Sequence, residues 1–128
     1  MSYYKSTTFD GTFDDAITKV TEELKKEGFG ILTEIDVKDT LRKKLDVDFK
    51  KYKILGACNP SFAHKALQAE DKIGVMLPCN VIVEEHEDGK VEVSAVNPVA
   101  SMQAISNEEL QPIAEQIKTN LEKVIDHL

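Results

Sequence analysis

No stretch of this sequence stays apolar for the ~20 residues that crossing a bilayer requires. The opening residues, Met1-Ser2-Tyr3-Tyr4-Lys5, lack the charged start and apolar run of a secretory signal. The expectation is a cytoplasmic protein with no membrane partner. Cysteine is scarce: Cys58 and Cys79 are the only two. That is too few for the disulfide framework of a small secreted domain, and in a reducing compartment both are expected as thiols. Positive charge is also short, with 16 Lys and Arg against 23 Asp and Glu and a net charge of -7. The average surface repels phosphate, so nucleic acid is not an expected partner. A glycine-rich phosphate loop, a serine nucleophile elbow and an HExxH pair are all missing, which removes the catalytic classes that such motifs mark.

What remains is the composition of an ordinary folded domain, 41% hydrophobic and 30% charged over 128 residues. That length suits one hydrophobic core and leaves no room for a second, so residues 1–128 are expected to form a single domain. There is no repeat, low-complexity tract or linker to divide it.

The β-formers of residues 2–8 predict a first strand running into the Asp10-Gly11 turn. Thr12 is placed to cap a helix, with Asp15 three residues on, and Phe13, Ala16, Ile17, Val20 and Leu24 recur at helical spacing as far as Gly28. Phe29–Ile35 alternates as a second strand. Asp36 then caps a short helix carrying Val37, Leu41 and Leu45, and a polar loop leads to a third strand, Tyr52–Cys58. Gly56 inside that strand predicts a bulge or a close approach. Asn59-Pro60 marks another short helix. From Ile73 an apolar and then acidic segment runs to Glu87, and after Asp88-Gly89 the alternation of Val91, Val93 and Ala95 predicts a β-hairpin with a two-residue turn. Such a turn pairs Asn80 with Asn97 and Ile82 with Ala95.

The last helix has the clearest start: Ser106 and Glu109 spell a capping box, flanked by Ile105 and Leu110. Its apolar face is Leu110, Ile113, Ile117, Leu121, Val124, Ile125 and Leu128. Pro112 conflicts with that start, because it lacks a donor, so the helix must kink there or begin later. The order is β-α-β(4)-α with two short inserted helices. This is an α+β fold in which a single curved antiparallel sheet is covered by helices on one face.

Ile54-Leu55-Gly56-Ala57-Cys58-Asn59-Pro60 through Ala66-Leu67, Gly74 to Pro78-Cys79-Asn80-Val81-Ile82-Val83, and Asn97-Pro98 with Met102 together resemble the domain-of-unknown-function family 302. The resemblance spans almost the whole chain. It implies a fold of the TATA-binding-protein-like class, a bacterial or archaeal source, and homodimers. It implies no established activity, cofactor or catalytic residue. A shared fold gives no warrant for DNA binding by an acidic chain.

The residues with chemistry to offer are Cys58, Asn59, Cys79, Asn80 and Asn97, in two stretches of similar composition, Cys58-Asn59-Pro60 and Pro78-Cys79-Asn80. Facing one pocket, they would form a small-molecule or regulatory ligand site. Strand alternation sends Cys79 and Asn80 to opposite faces unless Pro78 carries a bulge. The plainer reading makes the cysteines core residues and the Asn-Pro pairs helix caps. A zinc site from Cys58, His64, Cys79 and His86 would not follow any compact Cys/His spacing, so no metal is expected. A thiol enzyme or redox protein would use Cys58 and Cys79, with His64 as the base nearest in sequence. Glu84, Glu85 and Glu87 read as a solvated strand end, and His127 as a residue stabilised at a helix C-terminus. The leading expectation is a homodimeric small-molecule-binding domain. The alternatives are a thiol-dependent redox protein and an interaction module without a pocket. The homodimer is expected to bury Val99, Met102, Ala104 and Ile105.

Overall fold

A computed structural model describes all of residues 1–128. Five strands, β1 (Tyr4–Phe9), β2 (Gly30–Asp36), β3 (Tyr52–Cys58), β4 (Cys79–Glu85) and β5 (Val91–Val96), form one antiparallel sheet in the order β1-β5-β4-β3-β2. The helices are α1 (Phe13–Lys26), α2 (Val37–Leu45), α3 (Pro60–Ala69), the four-residue α4 (Pro98–Ser101) and α5 (Leu110–Asp126). The expected α+β fold and its β-α-β(4)-α order are both present, with α2 and α3 as the two inserted helices.

Strand alternation divides the sheet into two faces. Cys79, Val81 and Val83 of β4, and Val91, Val93 and Ala95 of β5, are buried in a 17-residue core cluster with Leu55 and Ala57 of β3. The cluster is completed by Phe13, Ala16, Val20 and Leu24 of α1, by Phe29 before β2, and by Ile117, Leu121, Val124 and Ile125 of α5. Each fully buried Leu, Ile or Val contributes roughly 1.5–3 kcal/mol relative to exposure, so α1 and α5 hold the fold by covering this face. The alternate residues, among them Asn80, Ile82 and Glu84, lie on the face without helices.

Thr12 caps α1 as expected, its Oγ1 accepting from Asp15 N at 3.0 Å, and Asp36 caps α2 by accepting from Asp39 N. The last helix differs. Its first helical residue is Leu110, and no side chain caps Glu109. Asn107, rather than Ser106, orders the approach: its Oδ1 accepts from Glu109 N at 3.0 Å while its Nδ2 donates to Ala69 O at 2.8 Å. Pro112 thus falls in the first turn, where its missing N–H would have had no intrahelical partner. Ala114 joins the buried face, and Ile113 and Leu128 pack at its edge.

The apolar segment after Asp71 is only partly strand. Asp71–Met76 forms a 3₁₀ turn that buries Ile73, and β4 begins at Cys79. Ile73 joins Ala66, Met102, Leu110 and Ala114 in a second small cluster, with Val99 and Ile105 packed against it. Met102 is therefore covered within the chain, whereas Val99 and Ile105 are half-buried and Ala104 is exposed.

The hairpin register is also shifted by one. Val81 faces Ala95, Ile82 faces Ser94 and Glu84 faces Glu92. The turn has three residues, not two: His86 N donates to Lys90 O at 2.8 Å, and Gly89 takes a left-handed φ of 85°. A three-residue loop with glycine in that conformation is the next commonest hairpin connection after the two-residue kind. Because side chains alternate, the change moves Asn97 away from Asn80 and brings Glu92 opposite Glu84.

Candidate functional site

β3 ends, β4 begins and β5 ends at one end of the sheet, which brings the neighbourhoods of Cys58, Asn59, Cys79, Asn80 and Asn97 to that end. They do not converge on one pocket. Asn97 is a cap: its Oδ1 accepts from Val99 N and Ala100 N at 3.0 and 3.4 Å, and its Nδ2 donates to Ser2 O at 2.9 Å. Asn59 caps α3 in the same way, accepting from Phe62 N at 3.4 Å, and its Nδ2 donates to Glu27 O at 3.3 Å, tying the end of α1 to the start of α3. Asn80 is exposed on the helix-free face, opposite Gly56. Nothing at Pro78 re-aims Cys79, which is buried on the helix-covered face as strand alternation requires.

Three of the five residues do share a hollow. Cys58, Asn59 and Cys79 line a cavity of about 320 Å³ between α3, the start of β4 and α5, and twelve of its fourteen lining residues are hydrophobic. Phe62, Ala66 and Ile117 are among its walls. Leu32 is 68% exposed and Leu67 44% exposed at the same cavity. A bulge in β2 between Ile31 and Thr33 sets the strand's register here.

The two thiols are unbridged. Burial pushes the Cys79 thiol up to about 11, and the nearby Cys58 adds to the shift. Cys79 therefore stays protonated near neutral pH and is a poor nucleophile. His64 lies exposed on α3, and His86 is bound to Glu92 beyond the far end of β4. The set Cys58, His64, Cys79 and His86 is not assembled into a metal site.

On the helix-free face lies a second concavity, of about 420 Å³, that the sequence did not mark as a site. Asn80, Ile82, Glu84, Glu92 and Ser94 form its floor, and Tyr3, Tyr4 and Tyr52 stand around it. Glu84 and Glu92 are directly opposite across β4 and β5, which corrects the expectation of a merely solvated acidic strand end. Lys50 Nζ lies 2.6 Å from Glu84 Oε1, and His86 Nε2 lies 2.9 Å from Glu92 Oε1. The His86 hydrogen bond is the main cause holding the Glu92 carboxyl below its ordinary range, helped by the Ser6 hydroxyl. Burial, then the Glu84 carboxylate, pushes the Tyr52 phenol up. The one-residue register error hid this site, because it placed Glu84 and Glu92 out of line.

No helix in the chain is long and apolar enough to cross a membrane. No curated protein matches the chain. A crystal structure of an uncharacterised conserved DUF302 protein from Bacillus stearothermophilus superposes with a TM-score of 0.91 over 98% of each chain, at 27% sequence identity. The model of the family described as domain of unknown function DUF302 matches residues 4–128, which is nearly the full length, and the chain belongs to that family.

Proposed function

We propose that this protein binds a small, predominantly apolar molecule in the cavity beside Cys58 and Cys79. The observation that carries the proposal is the cavity itself: about 320 Å³ and almost wholly apolar, with the Asn59 amide and the Cys58 and Cys79 thiols at its wall. Ligand pockets fall at roughly 300–1,000 Å³ and are lined mainly by apolar side chains with a few polar groups that fix orientation. A cytoplasmic location is part of this reading. The redox alternative is weakened by a buried Cys79 with a raised thiol, and an interaction module without a pocket does not account for the hollow. The TATA-binding-protein-like class implied by the resemblance belongs to the proposal too, without DNA binding.

Leu32 and Leu67 stay exposed at the cavity, and a homodimer formed there would cover them and close the ligand in. Sedimentation equilibrium tests that part. A species of 14.3 kDa alone at micromolar concentration would remove the dimer and leave the pocket reading intact.

Native mass spectrometry of protein purified from its source cells tests the pocket. The wild type is expected to carry an added mass that solvent extraction removes, and Ala63→Phe, which fills the cavity from α3, is expected to lack it. Equal added mass in both forms would place the ligand elsewhere.

A further inference from the structure

All three tyrosines of the chain stand on the concavity of the helix-free face, whose floor carries two carboxylates. Glu84 and Glu92 are directly opposite each other, an arrangement of like charge that a sheet does not favour. Their side chains are only 13% and 31% exposed, so water screens them incompletely. The chain supplies its own relief. Lys50 places Nζ 2.6 Å from Glu84 Oε1 and 5.9 Å from the centre of the Tyr52 ring. Lys50 belongs to the irregular segment before β3 rather than to the sheet, so its ammonium reaches this position without being held by a strand.

A cation seated against a carboxylate and an aromatic face is in the setting that recognises organic ammonium and guanidinium groups. We propose that the cleft binds a small organic cation bearing a primary ammonium or guanidinium group, and that Lys50 holds the cation's place in the free protein. Arriving ligand displaces the Lys50 ammonium from Glu84, donates to Glu84 and to the side of Glu92 that the His86 contact at 2.9 Å leaves free, and packs against Tyr52. The cleft volume of about 420 Å³ leaves room for an organic body behind the charge. A divalent metal is the competing occupant, because Glu84, His86 and Glu92 offer ligand atoms within 4.8 Å of one another. The ring faces have no part in holding a metal, and the Lys50 ammonium opposes a compact dication on Glu84, so the organic cation is the reading that uses the whole cleft.

The chain has no tryptophan, and every tyrosine lines this cleft, so its intrinsic emission reports on the proposed site. Agmatine added to the full chain is expected to change that emission saturably. Lys50→Met keeps the apolar stem, vacates the cation's place, and is expected to bind agmatine about tenfold more tightly, a gain of about 1.4 kcal/mol that misfolding cannot produce. Glu92→Gln is expected to bind at least about tenfold more weakly, the loss of one charge-assisted hydrogen bond. Butanol, a neutral probe, is expected to leave the emission unchanged. The proposal is overturned by no saturable response in either wild type or Lys50→Met, by agmatine binding that Lys50→Met leaves equal or weaker, or by an equal response to butanol. Binding of Mn²⁺ that excludes agmatine would overturn it in favour of a metal site. None of these outcomes bears on the apolar cavity, which lies at the other face of the sheet.

Discussion

Alkylation of Cys79 tests the placement of β4, on which both sites rest. The thiolate is the reacting species, so ionisation sets the first part of the rate. With the folded thiol at about 11 against an ordinary value of 9.0, the ionised fraction near pH 8 falls from about one in ten to about one in a thousand. The more basic thiolate is intrinsically the better nucleophile, and at a Brønsted slope of about 0.4–0.5 this returns a factor of about ten. A tenfold protection therefore remains from ionisation alone. Exposure of only 7% adds a steric barrier to it. Iodoacetamide labelling near pH 8, followed by mass for each cysteine, is expected to modify Cys79 at least about tenfold more slowly in folded protein than in urea. Cys58, which is partly exposed, is expected to label first. Equal rates for Cys79 in the two states, or native Cys79 reacting ahead of Cys58, would refute the assignment of β4 to the covered face.

The same thiol couples stability to alkaline pH. Its folded value is raised, so the unfolded chain gives up the proton first; the contribution is complete below about pH 9, lost by about pH 11, and worth roughly 2–3 kcal/mol. Urea midpoints are expected to fall less over that window in Cys79→Ala than in wild type, and parallel falls would contradict the linkage. Leu121→Ala, at a side chain 1% exposed under α5, is expected to cost about 2–5 kcal/mol by urea unfolding, and a loss below roughly half a kcal/mol would place α5 in solvent. At Gly56 an added Cβ would meet Thr33 Oγ1 and lie 2.8 Å from Pro78 Cγ. Gly56→Ala is expected to destabilise by about 1–3 kcal/mol, measured the same way, and a stabilising effect would show that those neighbours yield.

Most elements could be read from the sequence because local rules and tertiary packing agree in them. Thr12, Asp36 and Asn59 each cap the helix that follows, and α1 and α5 bury the faces their periodicity marks. The misreadings fall where a local signal had a competitor. Ser106 and Glu109 spell a capping box, but Asn107 takes over the start of α5 through bonds to Ala69 and Glu70, residues 38 and 37 positions away. Asp88-Gly89 fits a two-residue turn equally well as the end of a three-residue one, and no local feature separates them.

That single residue decided how much of the sites was visible. It made a polar group from Asn80 and Asn97, which are instead a face residue and a cap, and it concealed the Glu84 and Glu92 pair. Cys58, Asn59 and Cys79 were legible as neighbours because all three follow from the strand ends. The hollow beside them was not, since it depends on how α3 and α5 pack over those ends. No pattern along the chain records that distance.

The most direct test of the central claim is a titration with N-phenyl-naphthylamine, a dye that brightens in apolar surroundings, performed on wild type and on Ala63→Phe. Wild type is expected to bind it saturably with one site per chain, and Ala63→Phe to lose that binding while its urea midpoint and Cys79 protection stay near the wild-type values. Failure of the wild type to bind, or equal binding by a folded Ala63→Phe, would contradict the claim that the cavity beside Cys58 and Cys79 is a ligand site.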